Sequence, residues 1–405
     1  MVFSFELTEE QQQTRDWAHD FAANEIRPVA AHYDESEEFP WDVVQSAAKI
    51  GLYGLDYYTM VGSDESGLTT ALIGEEIFWG CAGIGLAIFG SGLCLAGLAA
   101  AGTGEQFGEW APRIFGTADD VEVGAFAVTE PDAGSDVSRI RTRARREGDG
   151  WVLNGEKTFI TNGGIADVHV VVATVDPDLG HRGQASFIVT KDMDGFSMGK
   201  KDKKMGIRAS HTASIILDDV YVPGDHLLGG EEKLQAKMER ARSPEKEKTG
   251  RSGALATFEA TRPIVGIQAV GIARAAFEWA RDYAMQRQTF GVPIIRHQAV
   301  AFKLADMATE IDCARLLCWR GLWMAATNQT YVQGEGSMAK LKAGRVATTV
   351  TDEAIQIAGG MGYIREAPVE KWHRDAKIYE IFEGTAEIQR LVISRAIARS
   401  AGGEA

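Results

Sequence analysis

The spacing of hydrophobic positions changes twice along the chain, from helical to strand-like and back to helical. Up to about residue 118 the apolar positions recur at helical intervals, for example at Trp17, Phe21 and Ile26. Thr8 stands directly before two glutamates, which is a common start of a helix. Because no strand-rich run occurs in this region, the pattern predicts an N-terminal helical domain.

The middle of the chain is rich in β-branched residues that stand in short runs between turn residues. The runs are VEVGAFAVTE, IRTRARREGDGWVLNGEKTFITN, VHVVVATVD, ASFIVTKD and ASIILDDVYVP. Gly148-Asp149-Gly150 and Asn154-Gly155 are hairpin signals. Since no long helix alternates with these strands, an antiparallel sandwich or barrel is predicted rather than a doubly wound sheet.

The last part of the chain has helical spacing again. Residues 231–252 form a charged, nearly apolar-free stretch, which is typical of a solvated helix or loop inserted between domains. Beyond it, 263–287, 297–326, 337–359 and 385–399 each carry an apolar stripe, which predicts an antiparallel four-helix bundle.

A chain of 405 residues is long enough for several domains. The expected fold class is α+β and multidomain. It comprises an N-terminal helical domain at 1–120, a middle antiparallel β-sandwich or barrel at 121–230, a charged linker at 231–253 and a C-terminal four-helix bundle at 254–405.

One stretch, Ile77–Gly104, contains no charged residue and is long enough to span a bilayer. Its eight glycines make it a poor single helix. We interpret it as two tightly packed helices buried within a domain, and we expect no integral membrane segment.

Composition narrows the classes of function. The formal net charge is −15, which disfavours binding to nucleic acid or to an anionic membrane by bulk charge. The four cysteines form no Cys-x-x-Cys pair, which argues against a zinc site and favours a reducing compartment. The first residues resemble neither a signal nor a transit peptide, so a cytoplasmic location is expected.

Three stretches combine groups that are suited to chemistry, whereas the glycine patterns of phosphate-binding loops, Rossmann folds and hydrolase elbows do not occur. In the first, 128–136, the side chains of Thr129 and Ser135 and backbone N–H groups would suit an anionic or carbonyl-rich ligand. A plain β-turn with Pro131 at its corner is the alternative.

The second stretch is WVLNGEKTFITNGG at 151–164. Phe159 and Thr161 stand two residues apart, so a strand would present them on one face. An aromatic ring and a hydroxyl on one face would suit a flat heterocycle. The alternative is a hairpin whose aromatic ring lies in the core.

The third stretch contains Glu383 between Phe382 and Gly384. Aromatic and apolar neighbours would desolvate the carboxyl group, and desolvation raises a carboxyl pKa and makes the group a usable general base. Alternatively, Glu383 is a first-turn carboxylate that interacts with the dipole of the following helix.

Together, and in this order, the three stretches resemble the acyl-CoA dehydrogenase family. The likeness runs from FSFELTEEQQ at residue 3 to EIQRLVISR at 387–395. The resemblance implies FAD as cofactor, an acyl-CoA thioester as substrate and electron-transfer flavoprotein as electron acceptor. It also implies a homotetramer built as a dimer of dimers.

The resemblance assigns site residues by position. The flavin would be lined by Phe126, Val128, Thr129, Gly134, Ser135, Phe159, Ile160 and Thr161. The FAD of a neighbouring subunit would be reached by Arg287, Thr289, Phe290, Gln356, Gly359 and Gly360, and Gln298, Thr385 and Glu387 would bind the cofactor as well. The substrate would lie along Ser135, Glu259, Thr261, Arg262, Phe382, Gly384 and Arg395.

By the same resemblance, Glu383 would remove the α-proton while the β-hydrogen passes as hydride to flavin N5, giving a trans-2-enoyl-CoA. Some relatives carry the base at the position of Thr261, and the threonine there supports Glu383 alone. The sequence departs from the family at Phe159, usually tryptophan, at Phe382, commonly tyrosine, and at 56–67, which lacks a Pro-Glu-x-x-Gly-Gly pattern. An oxidase that uses oxygen and a non-catalytic flavoprotein subunit of a mixed assembly are the alternatives.

Overall fold

The N-terminal part of the chain is helical, as predicted. A computed structural model describes residues 6–243 and 253–402, and in the second range it describes the side chains from residue 261 onward. The helices before the first strand are α1 (Glu9–Phe21), α2 (Ala30–Ser36), α3 (Trp41–Lys49), α4 (Leu55–Ser63), α5 (Leu68–Gly80), α6 (Ala82–Phe89), α7 (Ser91–Ala101) and α8 (Gly104–Phe115). Thr8 caps α1, because its hydroxyl accepts a hydrogen bond from Gln11 N at 3.2 Å and the Gln11 side-chain oxygen accepts one from Thr8 N at 3.1 Å.

The charge-free stretch forms the end of α5 together with α6 and α7. By length and composition, Ala82–Ala101 would suffice to cross a membrane, but half of it is buried inside the protein. Its glycines lie at close contacts: a Cβ at Gly85 would meet the Phe78 ring at 2.9 Å, and one at Gly92 would meet the Tyr58 hydroxyl at 2.1 Å. Close packing within a domain accounts for this stretch, in agreement with the interpretation as core helices.

The middle part is one seven-stranded sheet. The strands are β1 (Gly124–Ala127), β2 (Arg143–Glu147), β3 (Gly150–Thr161), β4 (Val168–Thr174), β5 (Gln184–Thr190), β6 (Phe196–Lys201) and β7 (Thr212–Val222). Their order in the sheet is β1-β4-β2-β3-β7-β6, and β5 pairs with β4. Most pairings are antiparallel, but β4 pairs in parallel with β1 and, at one position, with β2. The prediction had no parallel pairing, because strand order depends on contacts between residues far apart in the sequence.

One of the two hairpin signals is confirmed. Residues 148–149 connect β2 and β3, which pair from Glu147 opposite Gly150 onward. Asn154-Gly155 is no hairpin: it lies inside β3, at a shift in the register between β3 and β7. The Asn154 side chain bonds Asp219 there, at 2.9 and 3.0 Å, which explains a turn-type residue within a strand.

The C-terminal part contains the four predicted long helices. The helices after the sheet are α9 (Gly230–Arg242), α10 (Gly253–Gln286), α11 (Gln298–Ala326), α12 (Glu335–Ala358), α13 (Gly360–Tyr363), α14 (Val369–Ala376) and α15 (Ala386–Ser400), and the two-residue strands β8 (Gln288–Thr289) and β9 (Val292–Pro293) connect α10 to α11. The charged stretch begins as α9, which buries Leu234 and Met238, and its part from 244 to 252 lies outside the described residues. Because α10 packs against α5 as well as against α11 and α12, the two helical parts share one core.

Candidate active site

A buried ion pair joins the first two predicted stretches. Lys157 Nζ lies 2.8 Å from Glu130 Oε1 and donates a hydrogen bond to Val128 O at 3.0 Å. Thr158 N donates to Thr129 O at 2.9 Å, so the backbones of the two stretches also touch. The segment after β1 is therefore fixed against the end of β3.

Phe159 stands out on β3 because its φ is 57° and 67% of its surface is exposed. The register between β3 and β7 shifts between Lys157 and Ile160, which releases Phe159 from the regular alternation of the strand. The alternative of a core aromatic is therefore wrong. Thr161 is half-buried, and its methyl group lies 3.1 Å from where a Cβ on Gly90 would stand. Thr161, at the end of β3, thus lies against the junction of α6 and α7.

The turn after Thr161 is held by two histidines. Gly164 N donates a hydrogen bond to His169 Nε2 at 3.1 Å, and His211 Nε2 lies 3.0 Å from Gly163 O. Burial lowers the pKa of His169 to about 3 and also lowers the pKa of His211. Both rings are therefore neutral near pH 7 and act as fixed hydrogen-bonding groups.

Glu383 and Gly384, here called the Glu383 turn, both have positive φ values, 55° and 90°. Thr385 follows as the cap of α15, and its hydroxyl accepts a hydrogen bond from Ile388 N at 3.4 Å. Glu383 thus precedes the helix, and the interpretation as a first-turn carboxylate is wrong. Glu387 occupies the first turn instead.

One oxygen of the Glu383 carboxyl group is removed from solvent. This Oε2 atom is buried and has no hydrogen-bond partner among the residues whose side chains the structure describes. Burial raises the pKa of this carboxyl, while the charges of Lys340 and Arg262 and a hydrogen bond with Thr261 act in the opposite direction. A carboxylate with a raised pKa is a stronger base than an exposed one, which is what proton abstraction from carbon requires.

Two buried side chains hold the Glu383 turn by its carbonyl oxygens. Lys340 Nζ donates to Gly384 O at 2.7 Å, and Gln389 Nε2 donates to Gly384 O at 2.8 Å and to Glu383 O at 3.1 Å. Both side chains are almost fully buried. Arg262 is buried nearby and donates to the Ser337 hydroxyl at 2.8 Å.

A row of aromatic rings connects the Glu383 turn with the Thr161 end of β3. The row consists of Phe382, Tyr379, Phe78 and Phe89, with centroid distances of 5.0, 6.5 and 6.4 Å between successive rings. Phe89 is followed by Gly90, which lies against Thr161. The second and third stretches, far apart in the sequence, are thereby linked through α5 and α6.

The remaining predicted residues differ in exposure. Exposed ones are Gly134, Ser135, Arg287, Phe290, Gln298, Gln356, Gly359, Gly360, Glu387 and Arg395. Half-buried ones are Phe126, Val128, Thr129, Thr261, Thr289, Phe382, Gly384 and Thr385, and buried ones are Ile160 and Arg262. The side chain of Glu259 lies outside the described residues.

Four residues around the site were missed by sequence reasoning: Glu130, Lys157, Lys340 and Gln389. Each is a polar or charged side chain whose burial becomes apparent only in the folded chain. The available signal was a charged residue at a position where a strand or helix was predicted to face the core. Lys157, two residues before a strand aromatic, and Lys340, within a bundle helix, both fit that description.

Comparisons with known proteins extend over the same parts of the chain. Family models match the acyl-CoA dehydrogenase N-terminal domain at residues 8–117, the middle domain at 125–220 and the C-terminal domain at 248–398. The chain belongs to the acyl-CoA dehydrogenase family. Its members are oxidoreductases, and their N-terminal helical, middle β and C-terminal helical domains are the architecture described above.

Individual relatives cover almost the full length. The mitochondrial short-chain specific acyl-CoA dehydrogenase of Bos taurus is 40% identical over 399 residues, which is 98% of this chain and 92% of that protein. The structure of butyryl-CoA dehydrogenase from Megasphaera elsdenii is 35% identical, covers 98% of this chain and 100% of its own, and superimposes with a TM-score of 0.85.

Acyl-CoA dehydrogenases use FAD. A glutaryl-CoA dehydrogenase from Mycobacterium smegmatis in complex with FADH2 is 27% identical to this chain, with a TM-score of 0.82 over 97% of this chain and 95% of its own. The residues here fit such a group: Phe159 presents an exposed ring, the neighbouring backbone of Thr158 bonds Thr129 O, Thr129 and Thr161 carry half-buried hydroxyls, and Gly134 has open space where a Cβ would stand.

Proposed function

We propose that this protein removes hydrogen from the α and β carbons of a short-chain acyl-CoA thioester, with Glu383 as the base that takes the α-proton. One observation carries the proposal. Within the described part of the chain, Glu383 Oε2 is buried without a hydrogen-bond partner, on a turn that the aromatic row links to the Thr161 end of β3. An unpaired buried carboxylate oxygen costs stability, and a role in proton transfer accounts for its presence.

The α-hydrogen of a thioester is only weakly acidic, so its removal requires a strong base and hydrogen bonds to the carbonyl oxygen. The raised pKa of Glu383 meets the first requirement. The backbone N–H of Glu383 is the proposed donor to the thioester oxygen. FAD, when bound, supplies the acceptor for the β-hydrogen, and the product is a trans-2-enoyl-CoA.

We assign the flavin ring to the surface formed by Phe159, Ile160 and Thr161, with Thr129 and Ser135 at its edge. The ion pair of Glu130 and Lys157 supports this assignment, because it fixes the segment after β1 against β3. We assign the acyl-CoA to Ser135, Glu259, Thr261, Arg262, Phe382, Gly384 and Arg395. Thr385 and Glu387 lie directly after the Glu383 turn, where they would hold the cofactor.

Exposed apolar side chains at the end of α10, between β8 and β9, on α11 and on α13 support a homotetramer. Phe290 is 96% exposed and Tyr363 is 85% exposed, and Met285 and Phe302 are exposed as well. Large exposed apolar groups mark interaction surfaces. In such an assembly Arg287, Thr289, Phe290, Gln298, Gln356, Gly359 and Gly360 would contact the FAD of a neighbouring subunit. We expect the native protein to have four times the mass of one chain. A second polypeptide in the native particle would instead favour a mixed assembly.

Electron-transfer flavoprotein is the proposed acceptor of the electrons. The alternative is an oxidase, in which oxygen takes them. Substrate-dependent formation of hydrogen peroxide in air, without an added acceptor, separates the two. We expect little peroxide and rapid turnover with electron-transfer flavoprotein.

The role of Glu383 is tested with Glu383→Gln. We expect the variant to retain FAD but to bleach its flavin absorption on mixing with butyryl-CoA about 100- to 10,000-fold more slowly than wild type, the usual contribution of a general base. Glu239→Gln is the control, since Glu239 is an exposed carboxylate on α9. Flavin reduction by Glu383→Gln at the wild-type rate would refute the proposed base.

The short chain length is tested by comparing butyryl-, hexanoyl-, octanoyl- and palmitoyl-CoA as reductants of the flavin. We expect kcat/KM to be highest for the first two. Equal efficiency with palmitoyl-CoA would contradict this part of the proposal without affecting the role of Glu383.

A further inference from the structure

Lys340 is a buried lysine on α12 that the proposed reaction has not used. It exposes 1% of its surface, and its Nζ donates to Gly384 O at 2.7 Å. Fully buried lysines are rare unless they are paired. This one is coupled electrostatically to the carboxyl group of Glu383, which is one residue before the carbonyl that it binds.

The Glu383 turn is a backbone arrangement that needs such a support. Glu383 has a φ of 55°, a conformation that strains a non-glycine residue and persists only where the surrounding structure holds it. Two donors converge on Gly384 O, one from Lys340 on α12 and one from Gln389 on α15. Of these two donors only Lys340 brings a charge, so it alone can act on both the backbone and the carboxylate.

We propose that Lys340 is a positioning residue for the base: it fixes the Glu383 turn through Gly384 O and supplies the buried positive charge that keeps the Glu383 carboxylate ionised in the resting enzyme. This inference rests on the proposed function, because it requires Glu383 to be the base. It assigns to Lys340 no contact with substrate or cofactor.

Among the described residues, the charges around Lys340 come from three parts of the fold. Glu383 and Glu380 precede α15, Glu387 lies in its first turn and Arg262 lies in α10. The three carboxylates favour the protonated lysine, whereas burial and Arg262 disfavour it, and the pKa of Lys340 falls to about 8. Lys340 is therefore mostly protonated near pH 7. Its influence on Glu383 is larger than that of Arg262.

Removing this charge should move the pH dependence of flavin reduction. The rate rises with pH as the base loses its proton, and this rise is the acid limb of the profile. The positive charge of Lys340 lowers the pKa of the Glu383 carboxyl, so Lys340→Met should shift the acid limb toward higher pH. At a fixed pH on the acid limb the rate should fall about 10- to 1,000-fold, the usual effect of an opposite charge on the ionisation of a carboxyl group, and recover as the pH rises.

Two further variants separate the charge from the hydrogen bond. Lys340→Gln keeps a donor without charge, so we expect the shifted acid limb of Lys340→Met with a higher maximal rate. Lys340→Arg keeps the charge, so we expect the wild-type acid limb even where the maximal rate is lower. Lys342→Met is the control, because Lys342 lies on the same helix, is partly exposed and pairs with Glu310. All variants are compared as FAD-loaded enzyme with butyryl-CoA.

The proposal is overturned if Lys340→Met lowers the rate equally at every pH, which would indicate a structural role alone, or if it leaves the profile unchanged. Lys340→Met and Lys340→Gln could both lose FAD while Lys342→Met retains it. In that case the proposal is tested with Lys340→Arg, and a shifted acid limb in this variant overturns it. Wild-type flavin reduction by Glu383→Gln would instead overturn the base, whatever the result at Lys340.

Discussion

Lys157→Met is the substitution whose effect on folding can be worked out most directly from the structure. Lys157 is 0% exposed and Glu130 is 6% exposed, and they form an ion pair at 2.8 Å. Removing one partner of a buried pair leaves an uncompensated charge, which costs about 3–5 kcal/mol of the free energy of unfolding. Glu130 would still accept hydrogen bonds from Arg141 N at 2.6 Å and Thr142 N at 2.9 Å. The lower end of that range, about 3 kcal/mol, is therefore expected.

The assay is urea denaturation of the FAD-loaded protein, followed by circular dichroism and by the fluorescence of released flavin. Lys191→Met is the control, because Lys191 pairs with Glu122 at 3.4 Å at the surface, where an ion pair contributes about 0–1 kcal/mol. We expect flavin release at a lower urea concentration for Lys157→Met, since the pair joins the two stretches assigned to the flavin.

The double variant Glu130→Gln with Lys157→Met identifies the cause. If the penalty comes from the unpaired carboxylate, neutralising Glu130 should restore at least about 1 kcal/mol to the single Lys157→Met variant. A Lys157→Met variant as stable as the Lys191→Met control would refute the reasoning. So would a double variant in which the two losses simply add.

Three other outcomes follow from the structure. Burial raises the pKa of Glu383 above its ordinary value, so the acid limb in the pH profile of flavin reduction should lie above pH 4.5. An acid limb at or below pH 4.5 would contradict the proposal that the base is a desolvated carboxylate. The pKa of Glu383 is higher in the folded than in the unfolded protein, so this group lowers the free energy of unfolding as the pH rises from the unfolded pKa through the folded one. Glu383→Gln should therefore unfold at a higher urea concentration than wild type at pH 7. At pH 4 the carboxyl group is mostly protonated in both states, and the variant should lose this advantage. Gly92→Ala places a Cβ 2.1 Å from the Tyr58 hydroxyl and should lower the free energy of unfolding by about 1–3 kcal/mol. Gly108→Ala in α8 has open space around it and should raise the free energy of unfolding by about 0.5–1 kcal/mol. Urea denaturation of both variants measures these changes.

The sequence was sufficient for the order of the helical and β parts and for the four long C-terminal helices. Such features depend on local patterns, namely the helical repeat of apolar residues and the position of caps such as Thr8. The error at Asn154-Gly155 has a physical reason as well. A turn-type residue was read by its propensity, but the contact of Asn154 with Asp219 decides its conformation, and that contact spans 65 residues.

Around the candidate site, the residue types indicated the chemistry but not the environment. From the sequence, Phe159 could be either a ring in the core or part of a ligand-binding surface. Glu383 could be either a general base or a carboxylate that interacts with the dipole of the following helix. The structure decided both, through the register shift that exposes Phe159 and through the position of Glu383 before the cap of α15. The assignments of the individual residues to FAD and substrate remain predictions.

The amino-acid sequence by itself determined which segments form helices and strands and which of them carry groups for chemistry, because backbone propensity, apolar periodicity and residue type act over a few neighbours. Only the tertiary structure decided which charges are buried together and which carbonyl oxygens they hold. Lys340 reaches the Glu383 turn across 44 residues, and Lys157 reaches Glu130 across 27. The pKa of a carboxyl group depends on its desolvation and on charges within a few ångströms, and these are fixed only when distant segments pack.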